Sequence, residues 1–355
     1  MPDLSLSCIR PAGGAPKGLY RRGVVERIPL ILDVDTGIDD ALALLYLCGS
    51  PEAELLAVNC TAGNVNARQV AENTLAVLEL AGRADVEVAL GREVPLVRPL
   101  RTAPDTHGPK GLGYAKLPRA GAALSTHHAA DLLIDHARAR PGEITLVTTG
   151  QLTNLALALL REPDLPDLLK GLVMMAGSYR SAGNTAPTTE WNVAVDPEAM
   201  AVVLAGWEAR PQAPRPLALG LDVTERAKLT PDHLAELHRR AGDPPDDPVL
   251  QFVDDALRFY MEFHSRFDGF YGAFVHDPLA VAAALDPSLV RTEALAVQVE
   301  LGGTWTTGET VTDWRRVWGR PPNLDVAVEA DIARFFDRFV VRLAVVVAGP
   351  GGHRS

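Results

Sequence analysis

The passage from Ile28 to Ala41 constrains this chain most, because an uninterrupted apolar run breaks there into acids and then turns through glycine into a helix. Leu30-Ile31-Leu32-Asp33-Val34-Asp35-Thr36-Gly37-Ile38-Asp39-Asp40-Ala41 reads as a buried strand, a tight turn and a helix start. Similar buried-strand runs recur at Glu54 to Asn59, Ile144 to Thr148, Leu172 to Ala176 and Pro216 to Leu219. Helix-period segments lie between most of them: Asp39 to Cys48, Ala67 to Ala81, His127 to Arg140, Leu152 to Leu160 and Pro197 to Ala205. This alternation predicts an α/β fold, an open and mostly parallel central sheet flanked by helices in a Rossmann-like core. Additional helices are expected in the C-terminal half, at Pro231 to Arg240, Pro248 to Phe267, His276 to Leu285 and Ile332 to Val347, with β-like stretches at Ala296 to Leu301 and Glu309 to Val311. Pro95 to Pro118, rich in Gly and Pro, is long for a loop and is a candidate lid.

The 355 residues are expected to form one catalytic domain over 28–350, preceded by a flexible tail over 1–27. A formal charge of −11 disfavours polyphosphate partners, so no nucleic acid is expected. No apolar run reaches the roughly 18 to 20 residues that cross a bilayer, so no membrane partner is expected either. Arg21-Arg22 has no apolar segment behind it that could serve as an export signal. Cys8, Cys48 and Cys60 form neither a CxxC pair nor a zinc-like spacing, which fits a reducing cytoplasm.

Asp33, Asp35, Asp39 and Asp40 fall within eight residues and must lie beyond the carboxyl end of the first strand, where ligands bind in open α/β sheets. A helix N-terminus stabilises an anion too weakly to keep several crowded carboxylates ionised, so a hard divalent cation is the natural solution. An oxygen-only set without His or Cys argues for Ca²⁺ or Mg²⁺ over zinc, and several carboxylates suit Ca²⁺ better. Capping and turn roles alone would account for one Asp pair, but not for four acids after an apolar strand.

The pattern D-x-D-x-G-x-D-D, carried by Asp33, Asp35, Gly37, Asp39 and Asp40, resembles the start of the calcium-dependent nucleoside hydrolase family. Asp33-Val34-Asp35-Thr36 is also compatible with Mg²⁺-dependent phosphatases that use an Asp nucleophile. Those need a later Lys and an acidic pair after another strand, whereas the strand after Lys170 runs into Met174-Met175-Ala176-Gly177-Ser178. The hydrolase motifs follow in order instead: Asn64 in Thr61-Ala62-Gly63-Asn64-Val65, Thr149-Gly150-Gln151-Leu152-Thr153-Asn154, Gly183-Asn184, Glu190-Trp191-Asn192, Asp196-Pro197-Glu198-Ala199 and His276-Asp277-Pro278. Each is weak alone, but together they are specific.

The resemblance implies hydrolysis of the N-glycosidic bond of ribonucleosides to free base and ribose, by a Ca²⁺-bound water activated by Asp35. It implies Ca²⁺ ligation by Asp35, Asp40, Asp277 and the Thr149 carbonyl. It places Asp39, Asn64, Asn192 and Asp277 on the ribose 2′ and 3′ hydroxyls, Asn184 and Glu190 on the 5′ hydroxyl, and Met175 against the sugar. His276 is the candidate general acid for the leaving base, Asn192 joins Asp35 and His276 among the catalytic residues, Trp191 stacks near sugar or base, and His107 lies on a loop closing over the base. The chain departs from the family at Gln151, Ala176, Trp191 and Thr307-Gly308. His264, Arg266, Phe270 and Tyr271 are candidates to line the base pocket. Retention of His276 points to the inosine-uridine or pyrimidine-preferring groups, and a homodimer or homotetramer is expected by resemblance. A catalytically idle nucleoside- or ribose-binding protein is the alternative from another class.

Overall fold

The structure is a computed structural model and describes residues 27–349. The tail expected over 1–27 lies outside the described residues apart from Arg27, as do Cys8 and the Arg21-Arg22 pair.

The main sheet is built from β1 (Ile28–Val34), β2 (Ala53–Cys60), β3 (Glu87–Leu90), β4 (Thr145–Thr148), β5 (Gly171–Met175) and β6 (Leu217–Leu219). A small antiparallel pair follows, β7 (Lys228–Leu229) with β8 (Ala273–Phe274). Then come β9 (Val290–Leu295), the β10 (Val297–Val299) and β11 (Thr310–Thr312) ladder, and β12 (Leu324–Ala330). Strand order in the eight-stranded sheet is β3-β2-β1-β4-β5-β6-β12-β9, parallel except for β9, which runs antiparallel at the edge. The sequence expectation of a mostly parallel sheet between helices is met, and the first six strands follow the order of a doubly wound nucleotide-binding sheet.

Two apolar clusters pack on opposite faces of the sheet, which is why β1 needs no polar alternation: Leu30, Leu32 and Val34 face one cluster and Ile31 the other. The helix Ile38–Cys48 is buried from Ile38 to Leu47, and its N-terminal turn is pinned where the Gly37 N–H donates to Asp40 Oδ2 at 2.8 Å. It packs against the equally buried helix His276–Leu285. Two distant N-termini, one carrying Asp39 and Asp40 and the other His276 and Asp277, are thereby brought together beyond the ends of β1 and β4. The switch point of the sheet, where β1 has β2 on one side and β4 on the other, lies beneath them.

Three strands of the main sheet go beyond the sequence reading. β3 has only four residues, while β9 and β12 carry charged and half-exposed positions, so none presents the apolar run that marks a buried strand. The β-like stretches expected at 296–301 and 309–311 are the short β10–β11 ladder outside the main sheet. The stretch 95–118 contains a one-turn helix, Pro104–His107, and is docked rather than open. Ala103 N–H donates to the Asn64 carbonyl, Asn73 Nδ2 bridges the carbonyls of Thr36 and Lys110, and the Tyr114 hydroxyl donates to Glu262 at 2.6 Å. Among the described residues no helix is long and apolar enough to cross a membrane.

Candidate active site

A pocket of about 550 Å³ opens beyond the carboxyl ends of β1, β4 and β5. Asp39, Asn64, His107, Thr149, Met175, Asn184, Glu190, Trp191, Asn192, His276 and Asp277 all line it, so residues spread over more than two hundred positions converge on one cavity.

Its floor is acidic. One carboxylate oxygen from each of Asp39, Asp40 and Asp277 lies within 4.8 Å of the others, and all three residues are buried. Asp35 stands beside this trio: Oδ2 accepts the Asn64 N–H at 2.8 Å, while Oδ1 is buried without a partner. Burial, reinforced by the neighbouring carboxylates, pushes Asp35 and Asp277 well above the ordinary carboxylate range. Burial also raises Asp39 and Asp40, with the Gly37 N–H and the Thr149 hydroxyl, 2.7 Å from Asp40 Oδ1, opposing the shift at Asp40. Four buried acids that resist ionisation, one with an orphaned oxygen, form an oxygen-only donor set suited to a hard divalent cation. The approach is possible because Gly63 and Gly150 flank Asp35: a Cβ on Gly63 would collide with Asp35 Oδ2, and one on Gly150 would press on the Asp35 backbone.

The walls next to the floor are amides. Asn192 Nδ2 donates to the carbonyls of Thr149 at 2.7 Å and Met175 at 3.0 Å, so Thr149, expected as a ligand through that carbonyl, has one lone pair already engaged. Asn64 Oδ1 is buried and unpartnered. Glu190 caps the short helix Trp191–Val195, taking the N–H groups of Asn192, Val193 and Gly177, which offset the upward shift that burial imposes. Asn184, more exposed at the rim, accepts the Trp191 N–H at 2.9 Å and keeps its amide N–H groups for other partners. Trp191 is half-buried on the pocket wall with the Arg101 guanidinium 5.4 Å from its ring, so it is a lining residue rather than packed core.

The opposite end is aromatic and imidazole-rich. His276 Nδ1 is 2.8 Å from the Thr224 hydroxyl, and burial together with His264 and His107 lowers its pKa to about 3. His107 is only 6% exposed, so it is no solvated loop residue; its Nδ1 accepts the Ile38 N–H at 3.1 Å, and burial also brings it to about 3. Of the four candidates His264, Arg266, Phe270 and Tyr271, only His264 lines the pocket. Arg266 lies over Phe267, off the face of the helix Pro248–Phe267 that meets the cavity, while Phe270 and Tyr271 lie beyond the helix end, Phe270 stacked on His264 and Tyr271 half-exposed. That face is Tyr260, Phe263, His264 and Phe267. Tyr260 and Phe263 went unnoticed in the sequence, although the spacing of 260, 263, 264 and 267 is that of one helical stripe. Thr224 gave no sequence signal at all.

The phosphatase pattern fails structurally too, since β5 delivers Met175, Ala176 and Gly177 to the site and no acidic pair.

Comparison with known proteins agrees with this geometry. The family model for inosine-uridine preferring nucleoside hydrolase matches residues 30–337. An inosine-uridine preferring nucleoside hydrolase of Leishmania major is 40% identical over 312 residues, covering 86% of this chain and 94% of that protein. The pyrimidine-specific ribonucleoside hydrolase RihA of an Enterobacter species is 38% identical, covering 89% of this chain and 98% of its own. Among solved structures, a purine-preferring ribonucleoside hydrolase from Gardnerella vaginalis superimposes with a TM-score of 0.83 at 32% identity, over 90% of this chain and 99% of that one. With the acidic strand end, the sheet order and this match spanning nearly the whole described chain, the protein belongs to the inosine-uridine preferring nucleoside hydrolase family.

Proposed function

We propose that this protein hydrolyses the N-glycosidic bond of ribonucleosides, releasing free base and ribose, with Ca²⁺ as its resident metal. The observation that carries this reading is the buried trio of Asp39, Asp40 and Asp277 with Asp35 beside it, next to the unpaired amide oxygen of Asn64 and the side chain of Asn192. By the family resemblance Asp35, Asp40, Asp277 and the Thr149 carbonyl would hold the ion; Asp40 and Asp277 share one close group of carboxylate oxygens with Asp39. Bound there, Ca²⁺ would acidify adjacent water and fix vicinal ribose hydroxyls.

The chain's own residues divide the remaining work. Asp35 Oδ1, free of partners, takes the proton of the attacking water. Asp39, Asn64, Asn192 and Asp277 bind the 2′ and 3′ hydroxyls, while Asn184 and Glu190 hold the 5′ hydroxyl and Met175 and Trp191 pack on the sugar. Carboxylate charge next to the ribose favours the cationic, oxocarbenium-like sugar as the C1′–N bond lengthens. At the far end His276 helps the base depart, its Nδ1 held by Thr224 so that Nε2 is the nitrogen left for substrate. His107 covers the base from the docked loop.

Relatives named for pyrimidine and for purine preference match this chain at similar identity, so base choice rests on its own aromatic end. Retention of His276 favours inosine, uridine and other pyrimidine ribosides. A homo-oligomeric, cytoplasmic salvage enzyme with one catalytic domain over 28–350 completes the reading. The test is incubation with inosine, adenosine, guanosine, uridine, cytidine and a nitrophenyl riboside, with and without a calcium chelator, measuring free base and reducing sugar. Chelator-sensitive ribose release is expected. Tight calcium binding without cleavage of any riboside would instead indicate an idle binding protein.

A further inference from the structure

Three histidines meet at the base end of the pocket, and the atoms behind their rings differ. His107 uses Nδ1 to accept a backbone N–H, and His276 has a hydroxyl behind its Nδ1. His264 has a carboxylate there: its Nδ1–H donates to Asp268 Oδ2 at 2.7 Å, one turn further along the same helix. Its other nitrogen, Nε2, is buried with no partner, and both His264 and Asp268 line the cavity. Four aromatic rings fix the imidazole: Tyr260, Phe274, Phe263 and Phe270, at 4.6, 4.8, 5.2 and 5.6 Å between centroids. A locked ring backed by an acid, with its far nitrogen unpaired in a substrate pocket, has the arrangement of an oriented proton donor.

We propose that His264, held by Asp268, is a second proton donor at the base end and delivers its Nε2 proton to the departing base. The proposal rests on the ribonucleoside hydrolase reading above. As the C1′–N bond breaks, its electron pair passes to the base and the Nε2 proton goes to a base nitrogen. Water then captures the ribosyl cation and gives its own proton to Asp35, and solvent reprotonates His264. His276 stands beside it at the base, its Nδ1 next to the Thr224 hydroxyl.

The charged and titratable groups around His264 set the direction of its pH dependence. Burial lowers the imidazole from its ordinary value and Asp268 opposes that shift. Glu225, on the pocket wall, is pushed up by burial and then by the nearby Asp268, and Lys228 lies 4.7 Å from the ring of Phe270 and 5.5 Å from that of Phe274. His107 and His276 face it across the cavity. Activity on natural nucleosides should therefore fall as pH rises through the His264 value, and removing the Asp268 charge should move that limb to lower pH.

The discriminating substrate is nitrophenyl riboside, whose leaving group departs without being protonated. For His264→Gln, kcat on inosine or uridine should fall by about 10²-fold or more while nitrophenyl riboside turnover changes by less than about threefold. Asp268→Asn should give a smaller loss with the alkaline limb displaced downwards. Equal losses on both substrate types, or an unchanged pH limb in both variants, would overturn the proposal by showing a packing role. If the unmodified enzyme releases ribose from neither substrate, the hydrolase reading itself fails, an outcome separate from those two.

Discussion

The two ends of the pocket are built by different means. The ribose end comes from backbone turns: Asp35 to Asp40 after β1, Asn64 after β2, Thr149 after β4 and the capped turn at Glu190, each tied to buried elements by main-chain hydrogen bonds. The base end comes from side chains spaced along the helix Pro248–Phe267 and from a loop docked onto it, with Phe267 59% exposed at the rim. Chemistry is thus anchored in the least deformable part of the fold, and specificity is delegated to a surface that can change by single substitutions.

That division can be broken by experiment, and the largest expected effect is at the ribose end. 2′-Deoxyuridine should be hydrolysed with kcat/KM roughly 10⁴-fold below uridine, because Asn64, Asn192 and the buried acids would be left unpaired, as steady-state kinetics on both substrates would show. Asp35→Asn should lower kcat about 10³-fold on every riboside alike, with calcium binding measured in parallel to separate base catalysis from ligation. A loss confined to one base would contradict the division.

Metal linkage comes next. The folded-state values of Asp35, Asp39, Asp40 and Asp277 are raised, to about 8 for Asp39, so the metal-free protein loses stability as pH climbs from the unfolded carboxylate value through those raised values. Calcium requires the ionised forms. Its stabilisation, about 2.7 kcal/mol at a hundred times Kd, should therefore grow between about pH 5 and pH 8 and release protons, as thermal melts and calorimetry in two buffers would show. The smallest effect belongs to the base end: Phe263→Ala should change the ratio of inosine to uridine kcat/KM by roughly tenfold while nitrophenyl riboside turnover holds.

The same contrast explains what the sequence made legible. Asp35, Asp39 and Asp40 follow an apolar strand within a few residues, so local pattern alone sends them beyond the carboxyl end of the sheet, whereas Asn64 comes only with the family resemblance. Asp277 and His276 were reached only through resemblance, since nothing local reveals that the helix they begin packs on Ile38–Cys48. Tyr260 and Phe263 sit on a helix whose apolar stripe continues from core into cavity, and core and lining positions share one periodicity. β9 and β12 escaped notice because half-exposed strands with charged residues lack an apolar run. The docking of His107 depends on Asn73, Tyr114 and Tyr260, contacts that no loop composition encodes.

The central claim, that this acidic floor makes a cation-dependent ribosyl hydrolase, is tested most directly by titrating Ca²⁺ into chelator-stripped enzyme and following ribose release from uridine and inosine. Turnover should be absent at the start, rise in proportion to added calcium until one ion is bound per chain, and remain absent throughout for Asp40→Ala. Undiminished turnover in the stripped protein, or calcium-dependent turnover in Asp40→Ala equal to that of the unmodified chain, would contradict the account.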